Sequence, residues 1–189
     1  MINPQLIFGR LGNSLFQYAT LYAKSRDEGT DFYFQNPVYF SKYEKEIKQL
    51  FGEGIEPIDM VSIHVRRGGN PINKNEPNYS DNPFYVDLCL TDYYERAMEQ
   101  FPGADFFVFS DDIKFCREYF KDHKRVTFCN EKDEIKAFNL QAGCKGHIIA
   151  NSSFSYWCAY IGGGKTVAPE EYYSDGVQRT IYPDNWIVI

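Results

Sequence analysis

The side chains best suited to chemistry are two adjacent arginines, Arg66 and Arg67, which follow an apolar, β-branched run and precede a glycine. A guanidinium presents its N–H donors as a planar fork that matches two phosphate oxygens, so an arginine fixed at the end of a buried strand suits phosphate recognition. If side chains alternate at the strand end, one arginine faces a ligand and the other braces the fold through a carboxylate. Two structural salt bridges at the edge of a sheet are the alternative.

Two further polar residues stand near the ends of predicted strands. His64 lies on the same face of its strand as Arg66, where it could hydrogen-bond a base or a sugar, or act as an acid or base. A satisfied core histidine is the alternative. Asp111 comes after the apolar run 106–109 and is a candidate for holding a ribose hydroxyl, whereas Asp112 is expected to cap the next helix.

A serine-rich turn is a second candidate contact for phosphate. Ser152, Ser153, Phe154 and Ser155 come shortly after the apolar run 147–150, at the point where a helix is predicted to begin. The unpaired N–H groups and the dipole at the N-terminus of a helix attract phosphate without any added charge. Ordinary N-capping by Ser152 or Ser153 uses the same geometry and is the alternative.

A glycine turn near the start of the chain is the third candidate contact. Gly9, Gly12 and Asn13 would allow a close approach of the backbone and would offer an amide side chain. Their spacing matches neither the dinucleotide-binding glycine motif nor the Walker motif. The sequence therefore predicts that three loops, far apart along the chain, gather around one phosphorylated ligand.

The elements that must position these loops follow an α/β pattern. From residue 60 onward, continuous apolar strands alternate with helices, which is typical of a parallel sheet covered on both faces. We predict a Rossmann-like domain over residues 60–189 and a reduced N-terminal α/β half over residues 1–59. In such sheets, ligands bind outside the carboxyl ends of the strands. Strands are predicted at 5–8, 31–35, 60–65, 106–109, 126–128, 147–150 and 166–168, and helices at 13–23, 42–50, 91–101, 131–144 and 154–161.

The charge of the chain limits the class of ligand. The net charge is −6, the acidic residues are spread along the chain, and no basic tract is present, which disfavours nucleic acid as a partner. A phosphate site must then be local, and a small ligand is favoured over a polymer. The three histidines show no His-x-x-x-His spacing, so no zinc site is expected.

Cysteine usage and hydropathy indicate the compartment. The five cysteines form no Cys-x-x-Cys pair, which favours reduced, mostly buried thiols and a cytoplasmic location. The N-terminal residues lack the pattern of a signal peptide, and no apolar run approaches the roughly 18 residues that cross a bilayer. Apolar and aromatic residues in the small first half leave open a homo-oligomer.

Several segments, taken in order, are similar to one known family. They are residues 9–19, 64–68, 93–97, 107–112, 148–157 and 182–186. In this order they resemble glycosyltransferase family 11, the α-1,2-fucosyltransferase family, and the resemblance covers residues 5–23 and 60–189.

The resemblance implies a GT-B-like enzyme that transfers fucose from GDP-fucose to a glycan hydroxyl with inversion, without a metal or other cofactor. Arg66 would match the arginine that holds the diphosphate, and Ser153, Phe154 and Ser155 would match the turn that cradles it. His64 and Asp111 would lie near the nucleotide. Residues 60–189 would bind the nucleotide sugar, and residues 1–59 would form the acceptor side.

The chain departs from the family pattern in three places. Gly69 stands where the family usually has an aspartate, and the short segment before His64 implies a reduced family member. Ala137 stands where related fucosyltransferases carry an aspartate that reads guanine, with Asp133 and Glu134 one helical turn upstream. A transferase using another nucleotide sugar, or a non-catalytic nucleotide- or sugar-binding protein, are therefore the alternatives.

Inverting transfer needs a base near the acceptor hydroxyl, unless the transition state is loose enough to ask little of one. The aperiodic loop 68–90 offers Glu76, Asp81 and Asp87 as candidates. We predict Glu76 because it is the nearest of the three to the arginines in sequence.

Overall fold

A computed structural model of the chain describes residues 11–27, 40–68, 78, 81–176 and 182–189. Its centre is a parallel sheet of six strands in the order β3-β2-β1-β4-β5-β6. The strands are β1 (Ile58–Val65), β2 (Phe106–Ser110), β3 (Val126–Phe128), β4 (Cys144–Ile148), β5 (Lys165–Ala168) and β6 (Ile187–Val188).

The strand order reverses between β1 and β4. The chain runs outward from β1 through β2 to β3, then returns to add β4 on the other side of β1. The loops that leave these two neighbouring strands diverge toward opposite sides, which opens a crevice at their carboxyl ends. The Arg66–Arg67 pair leaves β1 and the serine-rich turn leaves β4, so both lie at this switch point.

Helices cover both faces of the sheet. Side chains of α3 (Tyr93–Glu99) and α4 (Ile113–Tyr119) pack with Val61, Ile63 and Val65 of β1 on one face. The other face is covered by α5 (Glu134–Ala142) and α6 (Ser153–Gly162), and α1 (Leu11–Asp27) and α2 (Glu44–Gly52) pack on α6. The predicted arrangement of a parallel sheet between helical layers is confirmed.

The described helices before residue 60 share a core with the sheet domain. Phe16 of α1 packs edge-on against Trp157 of α6 at 4.9 Å between ring centroids, and Phe40 stacks on the same indole at 5.5 Å. Ile47 of α2 joins this cluster and is fully buried. These contacts join α1 and α2 directly to α6. The division of the chain into two domains at residue 60 stays a prediction.

Several boundaries differ from the prediction. β1 begins at Ile58, before the expected residue 60, and β4 covers Cys144–Ile148 rather than 147–150. β6 was not predicted. The helix expected to run from a cap at Thr91 to residue 101 covers only Tyr93–Glu99 in α3, and the Thr91 hydroxyl accepts the N–H of Tyr93 at 3.2 Å ahead of it. The strands predicted at 5–8 and 31–35 lie outside the described residues.

Cysteine burial follows the prediction, since all five thiols are free and only Cys89 is partly accessible. Within the described ranges, none of the helices combines the length and the hydropathy that crossing a bilayer requires.

A buried histidine faces β1 from the neighbouring strand. His147 of β4 is fully buried, and its Nδ1 lies 2.8 Å from the hydroxyl oxygen of Ser62. Burial disfavours the charged imidazolium and lowers the pKa of His147 to about 4. The folded protein therefore holds this ring neutral at neutral pH.

We expect His147 to make the free energy of unfolding decrease as the pH falls. The unfolded imidazole titrates near pH 6.5 and the folded one at about 4, so the unfolded chain binds more protons between these values. The contribution is complete above about pH 6.5 and is lost as pH falls toward 4, by roughly 3 kcal/mol in all. Urea unfolding of the wild type and His147→Asn at pH 7.5 and 5 measures it. An equal loss in both proteins would contradict this expectation.

Candidate functional site

Strand register brings three side chains to one level at the carboxyl edge of the sheet. Val65 is paired with Ser110 of β2, and Ile63 is paired with Ile148 of β4. One residue beyond Val65 is Arg66, which is therefore level with Asp111 on one side and with Asn151 on the other. Neighbouring strands lie about 4.8 Å apart, so residues from three distant segments meet here.

Asp111 holds the first arginine. Its Oδ2 forms an ion pair with Nη1 of Arg66, and its Oδ1 accepts the backbone N–H of Arg67 at 2.9 Å. Both carboxylate oxygens are thus engaged with the end of β1. The backbone of Gly68 lies so close to this carboxylate that an added Cβ would be 3.1 Å from Asp111 Oδ2. In the structure Asp111 orients Arg66, and its predicted contact with a ribose hydroxyl stays a prediction.

Arg67 braces the following loop. Its Nη1 lies 2.6 Å from Oδ2 of Asp87, and its guanidinium carbon lies 4.0 Å from the ring centroid of Phe115. Burial lowers the pKa of Arg67, but the hydrogen bond and charge of Asp87 outweigh burial and raise it overall. Both arginines are therefore paired with a carboxylate, Arg66 with Asp111 and Arg67 with Asp87, as in the alternative of two salt bridges. That one of the two faces a ligand stays a prediction, and so does the contact of Arg67 with substrate.

The serine-rich turn has the geometry of a helix start. Ser152 has extended backbone angles at the N-cap of α6 and makes no side-chain capping bond, while its carbonyl accepts the N–H of Tyr156. The hydroxyl of Ser155 is fully buried and lies 3.2 Å from both the N–H of Ala150 and the carbonyl of Ser152. Ser155 therefore shapes the turn from inside, whereas Ser152 and Ser153 are half-buried at its surface.

The start of α1 rests directly on this turn. The Ser153 hydroxyl donates to Asn13 Oδ1 at 2.7 Å. A Cβ on Gly12 would lie 2.4 Å from the backbone nitrogen of Phe154, a separation that only glycine permits. The glycine turn and the serine turn are thus brought together as the sequence predicted. Gly9 lies outside the described residues.

His64 and Phe154 join the two sides of the crevice. Their ring centroids are 5.5 Å apart, and Phe138 of α5 packs edge-on against Phe154 at 5.9 Å. The backbone of His64 is fixed by the Tyr94 hydroxyl, which donates to its carbonyl at 2.9 Å. Burial raises the pKa of Tyr94 well above its usual range, so this hydroxyl stays a donor. His64 itself is buried, and its role toward a ligand stays a prediction.

The start of α5 lies on the Phe154 side of the crevice. Asp133 is its N-cap, and the Asp133 carboxylate accepts the N–H groups of Ile135 and Lys136 at 3.1 and 2.9 Å. One oxygen of that carboxylate, Oδ1, therefore serves as the cap of the helix. Ala137 follows one turn later and carries no polar group.

The predicted base and the predicted lack of a metal requirement remain predictions. Glu76 lies outside the described residues, and Asp87 is the counter-ion of Arg67. In the part of the chain that the structure describes, no group of three or more His, Cys, Asp or Glu side chains is arranged to hold a metal ion. Asp112 caps α4 by accepting the N–H of Phe115 at 3.0 Å, as the sequence predicted.

Sequence reasoning missed the role of Asn151. This buried amide donates to the carbonyls of Val86 and Tyr172, at 2.8 and 3.1 Å. It ties two distant segments to the residue just before the serine-rich turn. Its position between an apolar run and three serines was the available signal, since a polar side chain there must find buried partners.

The family of the chain follows from a comparison with known proteins. The sequence profile described as glycosyl transferase family 11 matches residues 25–189. The chain belongs to this family. Family 11 membership agrees with the resemblance that the separate motifs carried.

Two curated relatives show how much of a family 11 protein is present. Alpha-1,2-colitosyltransferase from Escherichia coli is 29% identical over 182 residues, covering 83% of this chain and 61% of that protein. Galactoside 2-alpha-L-fucosyltransferase SEC1 from Bos taurus is 25% identical over 168 residues, covering 85% of this chain and 40% of that protein. The chain thus spans less than two thirds of the length of these family 11 relatives.

A solved structure supports the fold class. The chain is similar to the E. coli heptosyltransferase WaaC with ADP, with a TM-score of 0.52 and 13% identity, over 89% of this chain and 47% of that one. At this identity the likeness concerns the fold alone. It confirms the GT-B-like, Rossmann-like arrangement expected of a family 11 chain.

Proposed function

We propose that the chain is a glycosyltransferase that moves fucose, or a close analogue, from a GDP-sugar to a sugar hydroxyl with inversion. The acceptor oxygen forms a bond to C1 of the donor sugar while the bond from C1 to the β-phosphate oxygen breaks. The electron pair of that bond leaves with GDP, and the proton of the acceptor hydroxyl passes to a base. GDP and the new glycoside are the products.

The observation that carries this proposal is the convergence of Arg66 and the serine-rich turn. They leave adjacent strands at the point where the strand order reverses, which is where nucleotides bind in doubly wound sheets. The rings of His64 and Phe154 bring the two loops within packing distance. A diphosphate placed between them would meet a guanidinium on one side and the amides at the start of α6 on the other.

Each residue of the site then has a defined role. Arg66 neutralises the charge that builds up on the β-phosphate as the leaving group departs, and preorganised stabilisation of this kind often contributes more to catalysis than any other effect. A guanidinium can do this without a divalent cation, so the proposal requires none. Asp111 is a positioning residue, because its carboxylate orients Arg66 through their ion pair. Glu76 stays the proposed base.

The relatives support a deoxygenated donor sugar. One relative is named for colitose and the other for L-fucose, and colitose is L-fucose without its 3-hydroxyl. A site that accepts both sugars in related proteins is defined by the shared 6-deoxy face. For this chain we favour GDP-fucose, because galactoside fucosyltransferases are among its family 11 relatives.

A different nucleotide is the second candidate. Ala137 offers nothing to pair with guanine, and Oδ1 of Asp133, one turn upstream, already accepts two N–H groups at the start of α5. A nucleobase that lacks the N–H donors of guanine would therefore leave fewer hydrogen bonds unmade at this position.

Thermal-shift measurements with GDP, UDP and dTDP, followed by incubation with GDP-fucose and lactose, test the proposal. We expect GDP to stabilise the chain more than the other two nucleotides, and GDP-fucose to yield a fucosylated product and free GDP. A larger shift with UDP or dTDP decides for the second candidate. Nucleotide binding with neither transfer nor donor hydrolysis would indicate a binding protein, and no shift with any nucleotide would contradict both candidates.

A further inference from the structure

Two adjacent tyrosines at the start of α3 reach the carboxyl edge of the sheet. They are Tyr93 and Tyr94, which we call the tyrosine pair. Both side chains are buried, and their ring centroids are 5.1 Å apart in an edge-on contact. Tyr94 also packs edge-on against Tyr119 and Phe120, at 6.2 and 6.1 Å between centroids. The rings are therefore held rigidly, and their hydroxyls lie at fixed points of the sheet.

Tyr94 holds the β1 side of the switch point. The pairing of β1 with β4 ends at Ile63 and Ile148, so His64 is the first residue of β1 beyond that pairing. The Tyr94 hydroxyl donates to the carbonyl of His64 at 2.9 Å. His64 stands shortly before Arg66 in the chain, so this hydrogen bond fixes the part of β1 that leads to the guanidinium.

Tyr93 holds the β4 side of the switch point. Its hydroxyl donates to the carbonyl of Ile149 at 2.7 Å and lies 3.1 Å from the carbonyl oxygen of Val167 in β5. Ile149 directly follows β4 and stands shortly before Ser152, the N-cap of α6. This hydrogen bond therefore fixes the segment that leads into the serine-rich turn.

The two hydrogen bonds act where the sheet itself no longer joins the two loops. β1 and β4 lose their mutual pairing at the point where the crevice opens. One helix then supplies a donor to each side. Burial raises the pKa of both tyrosines well above the usual range, so both hydroxyls keep their protons and remain donors.

We propose that the tyrosine pair positions the two loops that would hold the diphosphate, with Tyr94 acting through Arg66 and Tyr93 acting through the serine-rich turn. Because the two rings are rigidly joined, they fix the separation between the guanidinium and the amides at the start of α6. A diphosphate contacts both groups only if that separation matches its length, and a separation fixed in advance lowers the cost of binding. Both tyrosines are positioning residues, and this inference rests on the proposed function.

The test is calorimetric titration of GDP into the wild type, Tyr93→Phe and Tyr94→Phe. Each substitution removes one hydroxyl and keeps the ring, so the chain should fold, with a Tm lower by a few degrees. We expect each substitution to weaken GDP binding about three- to tenfold, which corresponds to the net contribution of one hydrogen bond.

The same substitutions in Arg66→Ala separate positioning from a general loss of structure. If Tyr94 acts through Arg66, Tyr94→Phe should not weaken GDP binding further in that background, whereas Tyr93→Phe should weaken it by the same factor in both backgrounds. A general loss of structure would make Tyr94→Phe weaken GDP binding equally with and without Arg66. That equal loss would overturn the role assigned to Tyr94.

Tyr182→Phe is the matched control. The Tyr182 hydroxyl donates to the carbonyl of Pro169 at 3.1 Å, after β5, a strand that carries none of the proposed contacts with the diphosphate. We expect a lower Tm and an unchanged affinity for GDP. Wild-type affinity in both Tyr93→Phe and Tyr94→Phe, or an equal loss of affinity in Tyr182→Phe, overturns the positioning role and leaves the proposed function standing. Failure of the wild type to bind GDP would contradict the proposed function and this inference with it.

Discussion

Arg66→Ala should lower the rate of sugar transfer by about 10²–10³-fold, the loss expected when one preorganised charge-stabilising group is removed. It should also weaken GDP binding, because the arginine contacts the diphosphate in the ground state as well. Arg66→Lys keeps the charge but loses the fork that matches two oxygens, so its loss should be intermediate. The transfer rate with GDP-fucose and lactose measures the loss of activity, and titration with GDP measures the loss of affinity.

Arg125→Ala is the control for this substitution. Arg125 pairs with Asp105 at 2.8 Å, and both side chains are more than half exposed, at the opposite edge of the sheet. An exposed pair of this kind is screened by water and contributes little to stability, so activity should be unchanged. Because Arg66→Ala also leaves Asp111 without its guanidinium, the double variant Arg66→Ala/Asp111→Asn is compared with it. Full activity in either Arg66 variant would contradict the assigned role.

Gly12→Ala should destabilise the fold and weaken nucleotide binding together. The new Cβ would lie 2.4 Å from the carbonyl carbon of Ser153 and from the nitrogen of Phe154, and backbone atoms cannot rotate out of the way. Overpacking of this kind costs about 1–3 kcal/mol, and each kcal/mol lowers Tm by about 2–4 °C for a chain of this size. Moving α1 away would also displace the amides of the turn.

Gly52→Ala supplies the comparison for Gly12. Its Cβ would lie 3.3 Å from Cγ2 of Ile161, the end of a side chain that can shift. We expect little change in Tm and none in GDP affinity. If Gly12→Ala bound GDP as tightly as Gly52→Ala, the contact between α1 and the turn would have no part in binding.

The fold was largely predictable because its signals are local. Strands such as β2, with Phe106, Val108 and Phe109 all buried, are apolar throughout, and a parallel sheet covered on both faces requires that pattern. β4 was placed too late because it begins with Cys144, Lys145 and Gly146, which do not form an apolar run. Gly146 is nonetheless part of the strand, where it pairs with Val61 of β1, and a Cβ there would lie 2.8 Å from the ring of Phe101.

The candidate site was predictable in its loops but not in its pairings. Arg66, Gly12 and the serine-rich turn stand out by residue type and position. Which carboxylate pairs with which arginine depends on strand register, and register between β1 and β2 is a tertiary property. The sequence therefore left Asp87 among three candidate bases, whereas the structure makes it the counter-ion of Arg67.

The role of Arg66 at the diphosphate is tested most directly by calorimetric titration of GDP and of guanosine into the wild type and into Arg66→Ala. We predict that the substitution weakens GDP binding at least about tenfold and leaves guanosine binding unchanged, because Arg66 would contact the diphosphate and not the base. An equal loss for both ligands, or no loss for GDP, would contradict the claim that Arg66 and the serine-rich turn hold a single diphosphate.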